Sequence, residues 1–278
     1  MDKNTASEKI NIFVTLSLVW LAWFIGNLCA NALFYLGKDF KDLLPPDLQG
    51  IIYHWGTLVY FITVAIIGII VPLFYIKKWQ LDVCLWPEKI SIRFVIASLL
   101  LMVALIGLGI VAICEEHQLG LSDIFSKDFA YLISPLILLA PTMVAYTVMW
   151  YGLFLQGFMK IFGNSILGKL AAIVLTSFIY AIYHFASINE IHSFAAFFEE
   201  TLITFGISVV ICIYVILDKS LFIAFIANLA LNFLIFSPVE TFHSSPENWL
   251  FSYLIVGILL LCYCLLSKHL PGAKSAKR

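Results

Sequence analysis

The sequence predicts an all-α, polytopic transmembrane bundle of about eight spans. Three observations carry that expectation. Of 278 residues, 62% are hydrophobic and only 12% charged, with a mean hydropathy of +1.01. No soluble domain of this size hides so much apolar surface in one core. Several stretches also reach the roughly 20 consecutive apolar residues that a bilayer requires. Finally, the lysines and arginines alternate between the two sides of the resulting helices as cytoplasmic and external loops demand.

In chain order the apolar segments fall at 10–36, 51–76, 92–114, 130–159, 170–189, 194–217, 220–237 and 248–267. Charges and turn formers separate them: Lys38 to Pro46, Lys77 to Arg93, Glu115 to Asp128, Lys160 to Lys169, Asp218 with Lys219, and Ser237 to Asn248. The division at 189–194 is the shortest and most apolar of these loops. With the N-terminus inside, the cytoplasmic segments hold Lys3, Lys9, Lys77, Lys78, Lys89, Arg93, Lys160, Lys169, Lys219, Lys268, Lys274, Lys277 and Arg278. Lys38, Lys41 and Lys127 alone fall outside, so 13 of the 16 basic residues are cytoplasmic. Losing one span would scramble this pattern, and both termini are therefore expected in the cytoplasm. The organisation reads as N-terminal helices over 1–129, a core over 130–236, and a last helix with a basic tail over 237–278.

Other classes find little support. The first apolar segment is too long for a signal-peptide core and reads as an anchor. The terminal Ala-Lys-Arg carries no prenylation signal. Cys29, Cys84, Cys114, Cys212, Cys262 and Cys264 form no CxxC pair and read as small apolar packing residues. The basic residues are few and follow membrane topology, which argues against nucleic-acid binding. No span carries the mid-membrane charge of an ion-coupled pathway, and no inverted repeat is evident. A transporter or lipid-handling protein is thus the last-ranked alternative.

Polar side chains inside hydrocarbon are costly and mark candidate sites, although Asn, Ser, Thr and His also serve as interhelical glue. The fourth segment carries Tyr151, Gly152, Gln156 and Gly157. In the fifth, Tyr180 and His184 lie four residues apart on one helical face, as do Asn228 and Asn232 in the seventh. Two such pairs on nearby helices are expected to point into a shared interior. Asn27 and Asn31 in the first span read as packing or rim contacts. Glu115, Glu116 and His117 read as a solvated loop. Tyr146, Trp150, Tyr151, Phe154, Tyr180 and Tyr183 either pack the bundle or line a space for an apolar ligand.

The order of these segments resembles the CPBP family, the CAAX proteases and bacteriocin-processing enzymes, also called the Abi family of intramembrane metalloproteases. Its members carry EExxxR, then FxxxH, then HxxxN, and the likeness runs through roughly 130–236. Gln156 and Gly157 occupy the place of the family's Arg-Gly, so the twin glutamates fall on Tyr151 and Gly152. The second motif survives as Tyr180-x-x-x-His184. In the third, Asn228 stands where histidine is expected and Asn232 matches the family asparagine. No Asp or Glu occurs between Asp128 and Glu190, and the only arginines are Arg93 and Arg278, so no shift of register restores the acids or the arginine.

The resemblance implies a fold in which a glutamate activates water, histidines hold a metal, and an asparagine stabilises the oxyanion. A catalytic zinc takes three protein ligands and a water, and a base must accept that water's proton. Here His184 is the one retained ligand. The amides of Gln156, Asn228 and Asn232 are poor zinc donors, and a phenol at 151 is no substitute for a carboxylate base near neutral pH. The expectation is a catalytically degenerate member without a tightly held metal or other cofactor. Its partners would be the bilayer and a hydrophobic or prenylated peptide or a membrane protein. The alternative is an active intramembrane metalloprotease with zinc on relocated ligands: His184, His192, Glu199 and Glu200.

Overall fold

The computed structural model describes residues 3–39, 45–85, 141–187 and 194–218, together with 96, 100, 103, 220–222, 224–226 and 228. Every regular element among them is helical. They are α1 (Lys3–Asp39), α2 (Pro46–Ile62), a π-helical stretch π1 (Thr63–Ile70), α3 (Val71–Lys78), a second π-helical stretch π2 (Thr147–Phe154), α4 (Leu155–Phe162), α5 (Ile166–Ser187) and α6 (Phe194–Asp218). Three helical runs are long and apolar enough to cross a membrane: Ala6–Leu33, Leu48–Lys78 and Ile166–Tyr183. Thr204–Leu217 is a shorter apolar helix. The expected helical, membrane-embedded class therefore holds for the described chain. The spans at 92–114 and 248–267 and most of the span at 220–237 lie outside the described residues, as does the first part of the span at 130–159.

The backbone gathers into two compact units, one of Met1–Val83 with Val144–Ile213 and one of Cys84–Met143 with Tyr214–Arg278. In the first, α1 shows why a uniformly apolar helix still has an inside. Ile12, Leu16, Val19, Trp23 and Ala30 recur at spacings of three, four and seven and are buried. Phe13, Val14, Leu18, Leu21, Ile25 and Leu28 on the other side are exposed, a surface suited to lipid tails. Burial separates the two faces although hydrophobicity does not, as expected for a helix apolar all round.

α2, π1 and α3 form one continuous helical run. Pro46 opens it in the first turn, where a missing N–H costs nothing. Pro72 sits just beyond π1. A proline inside a helix removes one hydrogen bond and crowds the carbonyl four residues back, and the wide turn before it accommodates both: Val71 N–H bonds the Ile66 carbonyl, five residues back. π2 is closed the same way, with Leu155 N–H on the Trp150 carbonyl.

Gly163 ends α4 at φ 85°, a conformation strained for any residue with a Cβ. Two residues on, the Ser165 hydroxyl accepts a hydrogen bond from Gly168 N–H at 3.1 Å and starts α5. This tight turn brings α5 back alongside α4. At the same end of the unit, Lys160 Nζ reaches both Glu8 Oε1 at 2.7 Å and the Trp79 carbonyl at 2.9 Å, tying α4 to α1 and to the end of α3.

In the second unit, Cys84 and Ser220 form an isolated parallel backbone bridge, and Leu221 N–H donates to the Cys84 carbonyl at 2.9 Å. Beyond it Leu221, Ala224, Ile226 and Asn228 are buried.

Candidate functional site

All eight residues of π2 are buried, so the stretch that carries Tyr151 and Gly152 presents no side to lipid. A π-helical turn places successive side chains differently from an α-helix and recurs at functional sites. Tyr151 and Trp150 are fully enclosed, and Gln156 in the first turn of α4 is 5% exposed.

Opposite stands the inner face of α5. Ala172, Ile173, Thr176, Ser177, Tyr180, Ala181 and Tyr183 are buried, whereas Leu170, Val174, Phe178 and Ile182 are exposed. Tyr180 meets π2 directly: its ring centroid lies 6.1 Å from that of Tyr151 and 5.5 Å from that of Trp150. The aromatic set continues without a break. Trp150 also packs on Tyr183 at 5.7 Å and on Phe154 at 5.0 Å, and Tyr146 approaches Tyr180 and Tyr183 edge-on at 6.3 and 6.1 Å. Trp23 of α1 closes the cluster against Tyr146 and Tyr183, both at 5.9 Å. The six aromatic residues singled out in the sequence thus pack ring against ring, in the offset and edge-on geometries that aromatic pairs favour. The packing reading accounts for their positions.

Tyr151, Gly152, Gln156 and Tyr180, assigned from three separate turns of sequence, are therefore buried together in the first unit. His184 belongs to α5, one turn beyond Tyr180, but its side chain lies outside the described residues. Asn228 is buried in the second unit at 1% exposure. Asn232 and His192 lie outside the described residues, as do Glu115, Glu116 and His117. Glu199 and Glu200 fall in the first two turns of α6, with their side chains likewise outside. Asn27 donates its amide to the Trp23 carbonyl at 2.9 Å within α1, a packing role.

Three hydroxyl residues escaped the sequence reading. Thr176 and Ser177 on α5 and Ser208 on α6 are fully buried, and Cys212 one turn along from Ser208 is buried with them. Ser177 Oγ and Cys212 Sγ are 3.8 Å apart, a buried polar contact between the two helices. Among the described residues, Tyr151 Oη, Thr176 Oγ1 and Ser208 Oγ have no hydrogen-bond partner within 3.5 Å. The signal was available, since Thr176 with Tyr180 and Ser208 with Cys212 obey the same four-residue spacing that exposed Tyr180 with His184.

This donor set does not suit zinc. Tyr151, Gln156, Tyr180, Thr176, Ser177 and Ser208 are neutral oxygen donors, and Cys212 is the one thiol beside them. Zinc in proteins relies on imidazole, thiolate and carboxylate. Among the described residues, no three His, Cys, Asp or Glu side chains lie close enough to hold a metal ion. No protein family, curated protein or solved structure matches this chain.

Proposed function

We propose that this chain is a multi-pass membrane protein of about eight spans, with both termini cytoplasmic, built on a CPBP-like helical cage that binds rather than cleaves. The bound species is a hydrophobic or lipidated peptide or a partner's transmembrane helix. One observation carries the reading. The position that the resemblance gives to a catalytic glutamate is Tyr151, fully buried against Tyr180 rather than open to a water and a metal. A buried phenol in an aromatic wall can hold a ligand, but it does not accept a proton near neutral pH.

The experiment is metal analysis of the purified protein in lipid nanodiscs, paired with a cleavage assay on apolar and prenylated peptides. The expected result is less than stoichiometric zinc and no turnover, in wild type and in His184→Ala alike. Stoichiometric zinc, or chelator-sensitive cleavage lost in His184→Ala, would overturn the proposal in favour of a metalloprotease with relocated ligands. Accessibility of single cysteines placed in the 77–93, 160–169 and 237–248 loops tests the topology: the first two are expected on the cytoplasmic side and the third outside.

A further inference from the structure

Where α3 stops, the first unit carries more positive charge than its acids offset. Lys160 Nζ holds Glu8 at 2.7 Å and donates to the Trp79 carbonyl at 2.9 Å, which brings together the start of α1 and the ends of α3 and α4. Lys9, Lys77, Lys78, Lys160 and Lys169 stand at this end against Glu8 and Asp82. Glu8 is committed to Lys160, and among the described residues neither Lys77 nor Lys78 forms an ion pair. Both are exposed. Their backbone is fixed: Trp79 N–H bonds the Tyr75 carbonyl, Gln80 N–H that of Lys77, and Leu81 N–H that of Ile76. Lys78 Nζ is also held over two rings, 5.8 Å from the centroid of Phe74 and 5.5 Å from that of Tyr75. The outward side of the same helical run is apolar. Ile66, Ile70 and Phe74 recur every four residues before Lys78 and are all exposed. From Ile66 to Lys78 the stripe measures about 18 Å at 1.5 Å per residue, close to the ~15 Å depth of one hydrocarbon leaflet.

We propose that this stripe binds an anionic phospholipid, whose phosphate meets the ammonium groups of Lys77 and Lys78 and whose acyl chain lies along Phe74, Ile70 and Ile66. Charge selects the occupant. A zwitterionic headgroup brings its own cation to two lysines that already lack a counter-ion, whereas a headgroup of net negative charge supplies one. Basic residues beside a span draw anionic lipids for this reason. Lysines at helix ends ordinarily sweep a wide volume as they reach for the interface. Here the turn is fixed and one ammonium is pinned over rings, so less side-chain freedom is lost on binding. Tyr75 and Trp79, with ring centroids 4.8 Å apart, add the aromatic pair that a membrane interface favours. A soluble phosphate lacks the chain that the apolar stripe accommodates, and so a lipid is the better occupant. The site stands whether the bundle interior binds a peptide or cleaves one.

The probe is phosphatidylglycerol bearing a diazirine in one acyl chain, with the matching phosphatidylcholine as its zwitterionic counterpart. Full-length protein in phosphatidylcholine nanodiscs is irradiated with each probe over a range of mole fractions, and the adducts are mapped by peptide mass spectrometry. The expected result is saturable labelling of 66–78 by the phosphatidylglycerol probe, half-saturating at a mole fraction at least about tenfold lower than phosphatidylcholine requires. Each lysine contributes about fivefold. Lys77→Gln with Lys78→Gln therefore raises half-saturation about twentyfold, and Lys77→Arg with Lys78→Arg retains it. A control of equal charge change at the same end, Lys9→Gln with Lys169→Gln, shifts it by a factor of about three or less, because screening confines each charge to its neighbourhood. Equal half-saturation by the two probes would overturn the proposal, as would labelling that the paired Gln variant leaves unchanged. An equal shift in the control pair also overturns it, since the preference would then belong to overall charge. Displacement of the bound probe by millimolar inorganic phosphate counts against it too, because the anion alone would then suffice. If the Gln pair lowers the thermal midpoint, the Arg pair decides: labelling lost there, with charge retained, removes the site.

Discussion

The packing of α1 on the α2–π1 run and the packing of π2 on α5 join helices in the same unit by opposite means. Where α1 meets π1, backbones approach through glycine. A Cβ added at Gly26 would sit 2.5 Å from Thr63 Oγ1, and one at Gly68 would sit 2.6 Å from both Ala145 Cβ and Trp23 Cζ3. Where π2 meets α5, the space is filled by tyrosine and tryptophan rings and edged by hydroxyls. Lipid tails are as apolar as the helices, so burial of apolar surface supplies little net drive between spans. Association rests on close van der Waals fit, interhelical hydrogen bonds or both. The first contact rests on close fit, although the buried indole N–H groups of Trp20 and Trp23 on α1 complete no hydrogen bond among the described residues. The second adds buried hydroxyl side chains to its aromatic filling, Tyr151 and Tyr180 with Thr176 and Ser177.

Trp23 belongs to both contacts, and its removal is the largest test of their interdependence. Trp23→Ala deletes a fully buried indole that touches Tyr146 and Tyr183 and abuts Gly68. A loss of about 3–5 kcal/mol is expected, read as a lower midpoint of thermal unfolding in nanodiscs. An effect under about 1 kcal/mol would mean that the two contacts stand independently of it.

Gly68→Ala isolates the close-packed side. The new methyl group meets Ala145 and the Trp23 ring, and overpacking of this kind costs about 1–3 kcal/mol. Gly50→Ala is its control: nothing lies within 4 Å of an added Cβ there, and helix propensity alone predicts a gain of up to about 1 kcal/mol. Equal responses at the two glycines would erase the distinction drawn between packed and open faces.

The smallest effect is expected at the rim. Lys160→Met removes an ion pair to Glu8 whose side chains are 36% and 51% exposed, together with a hydrogen bond to Trp79. Exposed pairs contribute at most about 1 kcal/mol, and the difference between variant and wild type should shrink as salt rises. A larger, salt-independent loss would make this contact a structural clamp on the α1 entry.

Much of the first unit was legible because membrane helices advertise themselves by length. Residues 10–36 and 51–76 correspond closely to the runs Ala6–Leu33 and Leu48–Lys78, and 170–189 overlaps Ile166–Tyr183. Of the residues singled out in the sequence, Tyr180 lies on the buried face of α5, and Tyr151 and Gln156 are buried in π2 and α4. The four-residue spacing rule passed over Thr176, Ser177 and Ser208. Hydroxyl residues are common in spans as helix glue, so their types alone carry no alarm. Neither π-helical stretch could be read in advance, because an extra residue in a turn leaves hydropathy unchanged. Pro72 was its one written trace.

What composition and helix length indicated alone was the solvent. A chain so apolar, with helical runs of such length, is stable only with lipid around it, because hydrocarbon demands that every backbone polar group be satisfied within the helix. What tertiary structure decided was which side of each apolar helix faces inward. Ile12 and Phe13 are equally hydrophobic, yet one is buried and the other exposed. In lipid that choice follows from shape and from the few polar atoms seeking partners, and both exist only once the helices are assembled.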